Sequence, residues 1–182
     1  MPVYSIEMGQ GVIARATELA VITTALYSCT FIAGINATVG YAGAFHYPAL
    51  ALLTFGEQVH ASTLGSRTYQ ALMAQRQDIK SDMLDWLRTL RPTEIVFASG
   101  KLRASYDLSR LEQWCTAHNP GLIYDFQIQT SAAMVATDKG MEVGKHTDLE
   151  SRYRDLFKAE HYNLHSSNAG NYNGYFLFGR KR

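Results

Sequence analysis

The stretch that decides the fold is CTFIAGINATVGYAGAFHYP, Cys29–Pro48. Its two apolar halves are rich in Ile, Phe, Tyr and small residues, the types that suit a pleated, half-buried surface. Asn36 to Gly40 lies between them, and Asn and Gly there supply the backbone freedom of a turn. A strand from Cys29 to Ile35, a turn, and a return strand from Tyr41 to Tyr47 therefore read as a β-hairpin. Pro48 ends it, because proline has no N–H to give to a ladder. If the chain reverses near Asn36–Gly40 so that facing positions sum to roughly 75, Cys29 and His46 stand opposite each other with Cβ atoms ~5 Å apart.

Upstream, the apolar run Leu19–Ile35 is interrupted by Thr23, Thr24, Ser28 and Thr30. It reads as buried strand, and no run approaches the ~20 apolar residues a bilayer crossing needs. The segment Met1–Gln10 carries Glu7 and lacks a basic start before an apolar block, so no secretory signal is expected.

Downstream, Leu72, Met73, Ile79, Met83, Trp86, Leu87 and Leu90 recur at near-helical spacing and predict a helix over Ser66–Leu90. Pro92 closes it, and Glu94–Ala98 reads as a short buried strand. Asp107 can cap a second helix to His118, with Leu108, Leu111, Trp114 and Cys115 on one face. Leu122–Ile128 and Ser131–Thr137 predict two strands, with a turn at Asp138–Gly140. A third helix is expected over Asp148–Glu160, a surface loop over Asn163–Gly174, and a last strand at Tyr175–Phe178. The order predicts an α/β (α+β) sandwich: a mixed, mostly antiparallel β core with two or three flanking helices. The 182 residues fit one domain, 1–182.

The 17 basic and 16 acidic side chains nearly cancel, which leaves no electrostatic footprint for nucleic acid. The basic end Arg180–Arg182 reads as a solvated terminus. With two cysteines and no export signal, Cys29 and Cys115 are expected as separate thiols in a reducing compartment. Cys115, beside Trp114, suits helix packing. Cys29 sits at a strand mouth, where a thiol can be accessible while its backbone is fixed. His60, His118, His146, His161 and His165 read as surface or loop residues. His161 and His165 lack a third ligand at zinc spacing, so no metal is expected.

A thiol of pKa about 8.5 is made reactive by a neighbouring imidazole, which also needs an acceptor on its other nitrogen. From the residues alone, Cys29 and His46 mark a cysteine hydrolase or acyl transferase.

Thr23-Thr24-Ala25-Leu26-Tyr27-Ser28-Cys29, followed by Gly43-Ala44-Phe45-His46-Tyr47-Pro48, resembles the chemoreceptor glutamine deamidase family CheD. Thr23, Ser28, Cys29, His46 and the cysteine-to-histidine spacing carry the likeness. Leu26, Cys29 and Thr30 are also similar to the motif of the cytotoxic necrotizing factors and Burkholderia lethal factor, which share that catalytic core. Tyr27 stands where CheD has glycine, and Ser28 where the toxins do.

The resemblance implies Cys29 as nucleophile, His46 as general base and acid, and Thr23 as the group orienting the imidazole. Backbone N–H groups of Ser28 and Cys29 would hold the oxyanion. No cofactor is implied, and the substrate is a partner protein with an accessible glutamine. A host-directed toxin or effector, reaching its target by a signal-peptide-independent route, is favoured over a cytoplasmic chemoreceptor deamidase, with the enzyme acting as a monomer away from membranes. The alternatives are a cysteine protease or transglutaminase-like enzyme, and a non-catalytic binding domain in which Cys29 is core packing.

Overall fold

The computed structural model describes residues 3–24, 26, 29–47, 66–100, 117, 120–158, 162–164, 170–172 and 175–178. Among them are twelve strands: β1 (Val3–Ser5), β2 (Gly11–Arg15), β3 (Glu18–Thr23), β4 (Thr30–Asn36), β5 (Tyr41–Tyr47), β6 (Glu94–Ser99), β7 (Ile123–Ile128), β8 (Ala132–Thr137), β9 (Gly140–Gly144), β10 (Tyr162–Leu164), β11 (Gly170–Tyr172) and β12 (Tyr175–Phe178). Two helices accompany them, α1 (Ser66–Leu90) and α2 (His146–Arg152).

The strands form two sheets. The smaller runs β10-β1-β3-β8-β9 and the larger β11-β12-β2-β5-β4-β6-β7. Pairing is antiparallel except at β1–β10, β1–β3 and β6–β7. The α+β sandwich expected from the sequence is the observed architecture.

Alternation along each strand builds the layers. Phe31, Ala33 and Ile35 of β4 join Val12, Ala14, Ala42 and Ala44 against Leu19, Val21, Ala132 and Met134 of the smaller sheet. Ile32, Phe45 and Phe97 point the other way and pack on Ile79, Met83, Trp86, Leu87 and Leu90 of α1. On the outer face of the smaller sheet, Ala20, Ile22, Ala133 and Val135 meet Leu149, Leu156 and Phe157. The result is four layers: helix, sheet, sheet, helix.

The β2–β5 pair is unusually close at Gly43, where a Cβ would lie 2.2 Å from the Val12 carbonyl oxygen. That same carbonyl accepts a hydrogen bond from the Trp86 indole at 3.1 Å, so the missing side chain keeps open the approach that pins α1 to β2. At the other end of α1, the Asn36 amide donates to the carbonyls of Leu90 (3.1 Å) and Arg91 (2.7 Å), capping the helix terminus. Its Oδ1 accepts from the N–H groups of Thr38 and Val39, which shapes the hairpin turn. Gly40 completes that turn at φ +69, in the left-handed region.

The hairpin and α1 occupy their expected places. Three expectations change. The ladder pairs Asn36 with Tyr41 and Phe31 with His46, so Cys29 does not stand opposite His46. The helix expected over Asp148–Glu160 starts earlier and is shorter, ending at Arg152. Asn163–Gly174, expected as loop, contains part of β10 and all of β11. The expected helix Asp107–His118 with Cys115 lies outside the described residues except for Ala117, as do Tyr27, Ser28, Pro48, His60, His161 and His165. Among the described residues no helix is long and apolar enough to cross a membrane.

Candidate active site

Two crossings of the chain between the sheets create the site. After β2 it passes to the smaller sheet as β3, and after Thr23 it returns to the larger sheet as β4. This return strap is fastened at its described residues. Leu26, fully buried, donates its N–H to the Thr130 carbonyl (3.0 Å) and accepts from the Gly100 N–H (2.8 Å). The Cys29 carbonyl accepts the Ser99 hydroxyl at 2.8 Å. The strap thus ends with its thiol-bearing residue anchored at the mouth of β4.

Thr23, at the end of β3, and His46, near the end of β5, meet across the two sheets. Thr23 Oγ1 lies 2.8 Å from His46 Nδ1, and both residues are almost wholly buried, at 1% and 4% exposure. The same hydroxyl donates to the Ile6 carbonyl at 2.9 Å. A threonine hydroxyl has one proton, and the carbonyl can only accept. Thr23 therefore accepts from Nδ1–H, which fixes the imidazole in the tautomer that leaves a lone pair on Nε2. That Nε2 is buried and has no hydrogen-bond partner among the described residues. Burial pushes the His46 pKa from 6.5 down to about 4, against a smaller opposing pull from the Ile6 carbonyl. At neutral pH the ring is uncharged.

Residues 6–10 hold this pair, and the sequence offered no sign of them. The Ile6 N–H donates to the Ile22 carbonyl, which places its own carbonyl under Thr23. The Gly9 N–H donates to the His46 carbonyl (2.8 Å), while the His46 N–H donates to the Gln10 carbonyl (2.9 Å). The Gln10 side chain, buried at 4% exposure, accepts the Glu7 N–H at 2.9 Å and closes the turn. Gly9 sits at φ +83 with Ile79 of α1 packed against it. These contacts are mostly made by backbone atoms, for which residue type is a poor signal.

Cys29 is partly buried and packs against the core between the sheets, the cluster that also holds Phe31. Phe31 is the cross-strand partner of His46. Cys29 precedes Phe31 by one pleat repeat and shares its face, so it is the diagonal neighbour of His46. Diagonal neighbours lie roughly 7–8 Å apart at Cα, within reach of longer side chains. The structure thus brings Thr23 and His46 into direct contact and puts Cys29 on the same face beside them. No hydrogen bond joins the thiol to Nε2 in this conformation. Ser28, expected beside Cys29 at the oxyanion position, is outside the described residues.

No protein-family model matches this chain, and no curated protein matches it.

Proposed function

We propose that this chain is a thiol-dependent protein glutamine deamidase with Cys29 as nucleophile, His46 as base and acid, and Thr23 as the residue that orients the imidazole. The observation that carries the proposal is the Thr23–His46 bond, which presents a neutral imidazole with an unpartnered Nε2 on the face where Cys29 packs.

In the proposed reaction the thiol rotates onto Nε2 and gives up its proton as sulfur attacks the side-chain carbonyl carbon of a glutamine. On the resemblance to CheD, stabilising the negative charge that develops on the carbonyl oxygen would fall to backbone N–H groups of Ser28 and Cys29, the kind of contact often worth about 3–4 kcal/mol. The imidazolium then returns its proton to the departing nitrogen, and ammonia leaves. Water adds to the resulting thioester with Nε2 again as base, releasing glutamate and the thiol. Throughout, Thr23 keeps Nδ1–H satisfied, so a proton can enter and leave the ring only at Nε2.

The substrate is another protein, modified without backbone cleavage. A host-directed effector delivered without a signal peptide and a cytoplasmic chemoreceptor deamidase share this chemistry and differ in target. The test is to incubate candidate proteins with the enzyme, follow ammonia release, and map by peptide mass spectrometry a gain of about 1 Da per converted glutamine. Cys29→Ala and His46→Ala should abolish it. Fragments would identify a protease, and isopeptide cross-links a transglutaminase-like enzyme. Absence of all three products, with Cys29 resistant to iodoacetamide at neutral pH, would leave the non-catalytic binding domain.

A further inference from the structure

β7 is the last strand of the larger sheet and pairs with β6 on one side only. A row of unpaired N–H and C=O groups is a template for another strand, so edges are ordinarily blunted by shortness, Lys, Pro or a bulge. The other free edges are weakened: β10 and β11 have 3 residues each, and β9 starts and ends in glycine. β7 has 6 residues, IYDFQI, without Lys, Pro or Gly, and its Ile123 and Ile128 are 66% and 74% exposed. Among the described elements the neighbouring layers leave this edge clear, since β9 packs across β4 and α1 across β5 and β2, all further in.

The ladder sets the direction of the free groups. The Ile123 N–H donates to the Thr93 carbonyl (3.1 Å) and the Gln129 N–H to the Ser99 carbonyl (2.9 Å), so odd-numbered residues of β7 turn their backbone groups toward β6. Tyr124, Phe126 and Ile128 therefore turn theirs outward, and no hydrogen bond among the described residues uses them.

Those groups fit a second copy of the same strand. In an antiparallel pair about a twofold axis, facing residues lie on one side of the sheet, so the axis falls at a residue and never between two. At Asp125 it would set two carboxylates directly opposite, which is destabilising. At Ile123, Tyr124, Gln127 or Ile128 the pairing would run past an end of the strand, onto Pro120 or Thr130. At Phe126 every outward group within the strand is matched. Phe126 exchanges both bonds with the partner's Phe126, while Tyr124 exchanges both with the partner's Ile128. The side chains agree on both faces. Phe126, stacked on Phe97 at 5.5 Å, meets its own copy, and Tyr124 covers the exposed isoleucine. On the opposite face Asp125 meets the partner's Gln127, an amide whose bond to Asp125 within one chain is a long 3.5 Å.

We infer that this chain forms a twofold dimer through β7, antiparallel and centred on Phe126, in place of the monomer expected from the sequence. The two larger sheets then continue into each other edge to edge.

Sedimentation equilibrium over a dilution series should show the 20.3 kDa chain in reversible exchange with a species of twice that mass. Amide hydrogen exchange should slow with rising concentration at Tyr124, Phe126 and Ile128, and not at Asp125 or Gln127, whose N–H groups β6 already holds. Ile128→Pro deletes an outward N–H without touching the β6 ladder and should weaken the dimer at least about ten-fold. Gln127→Asp faces a carboxylate to the partner's Asp125 and should do the same; adding Asp125→Lys, which sets opposite charges across the axis, should restore the dimer. Circular dichroism checks that each variant folds, and Ile128→Lys replaces Ile128→Pro if the proline variant does not. A chain that stays monomeric up to ~0.5 mM, assemblies that grow beyond two copies, a dimer indifferent to these substitutions, or a charge pair that fails to restore it would each overturn the inference.

Discussion

Consider lowering the pH from 7 to 4. His46 has a folded pKa of about 4 against 6.5 in the unfolded chain, because its ring is almost wholly buried. Between those values the unfolded chain binds the proton and the folded chain does not. Stability therefore rises with pH across this window: it is fully present above 6.5, is lost as pH falls toward 4, and changes no further below that. A gap of about 2.5 units at ~1.36 kcal/mol each amounts to about 3 kcal/mol. That is a large share of the roughly 5–15 kcal/mol that holds a typical domain together. Urea unfolding of wild type and His46→Gln at a series of pH values measures it. Carboxylates titrate in both proteins, so the difference between them isolates the imidazole. The wild-type advantage should shrink by about 3 kcal/mol between pH 6.5 and 4. A constant difference, or His46 ring protons that titrate at or above 6.5 by NMR, would refute the burial argument. The same neutrality bears on the proposed reaction. Nε2 stays available as a base well below pH 6.5, so the acid limb of ammonia release should fall below about pH 5.

Thr23→Val should cost about 3 kcal/mol by urea unfolding, since it strands both the Ile6 carbonyl and His46 Nδ1–H in the core, and the ¹⁵N shifts of His46 should report loss of the single tautomer. Unchanged stability would show that the hydroxyl has no such role. Gln10→Ala removes the side chain that closes the turn clasping His46 and should lower the rate of the proposed deamidation more than it raises KM; Gln10→Glu, which keeps the acceptor, should restore most of it. Gly43→Ala drives a methyl into the Val12 carbonyl that accepts the Trp86 indole, so about 3 kcal/mol of stability should be lost together with the near-ultraviolet signal of Trp86. Asn36→Ala should cost about 2 kcal/mol in thermal or urea unfolding, because it frees the Leu90 and Arg91 carbonyls and the turn N–H groups at once.

What was legible in the sequence follows from which faces are wet. α1 has an exposed side, with Asp85, Arg88 and Thr89 opposite Trp86, Leu87 and Leu90, so its period shows in the residue types. The β4–β5 hairpin announced itself by Asn36 and Gly40. β2 and β3 carry apolar residues on both faces because a layer covers each side, which erases the alternation that marks a half-buried strand. β10 and β11 are built from Tyr, Asn, Leu and Gly in a polar stretch, and pairing with β1 and β12 places them in the sheets despite that composition.

The site shows the same division at finer scale. Cys29 and His46 were paired from the hairpin pattern and Thr23 was added by the CheD resemblance, while Ile6, Gly9 and Gln10 touch the Thr23–His46 pair largely through backbone groups that any residue type could supply. The error at Cys29 has a definite cause. The Asn36 side chain bonds Thr38 and Val39, so residues 37–40 form the whole turn and the ladder opens at Asn36–Tyr41. The partner of every β4 residue is thereby moved two places along β5 from the register assumed for a tighter reversal. A move of two keeps each side chain on its face, since the pleat repeats every second residue. A move of one would have sent Cys29 to the α1 side and His46 away from it. The displaced register therefore turns a facing pair into a diagonal one and leaves the thiol on the side of the sheet that carries Nε2.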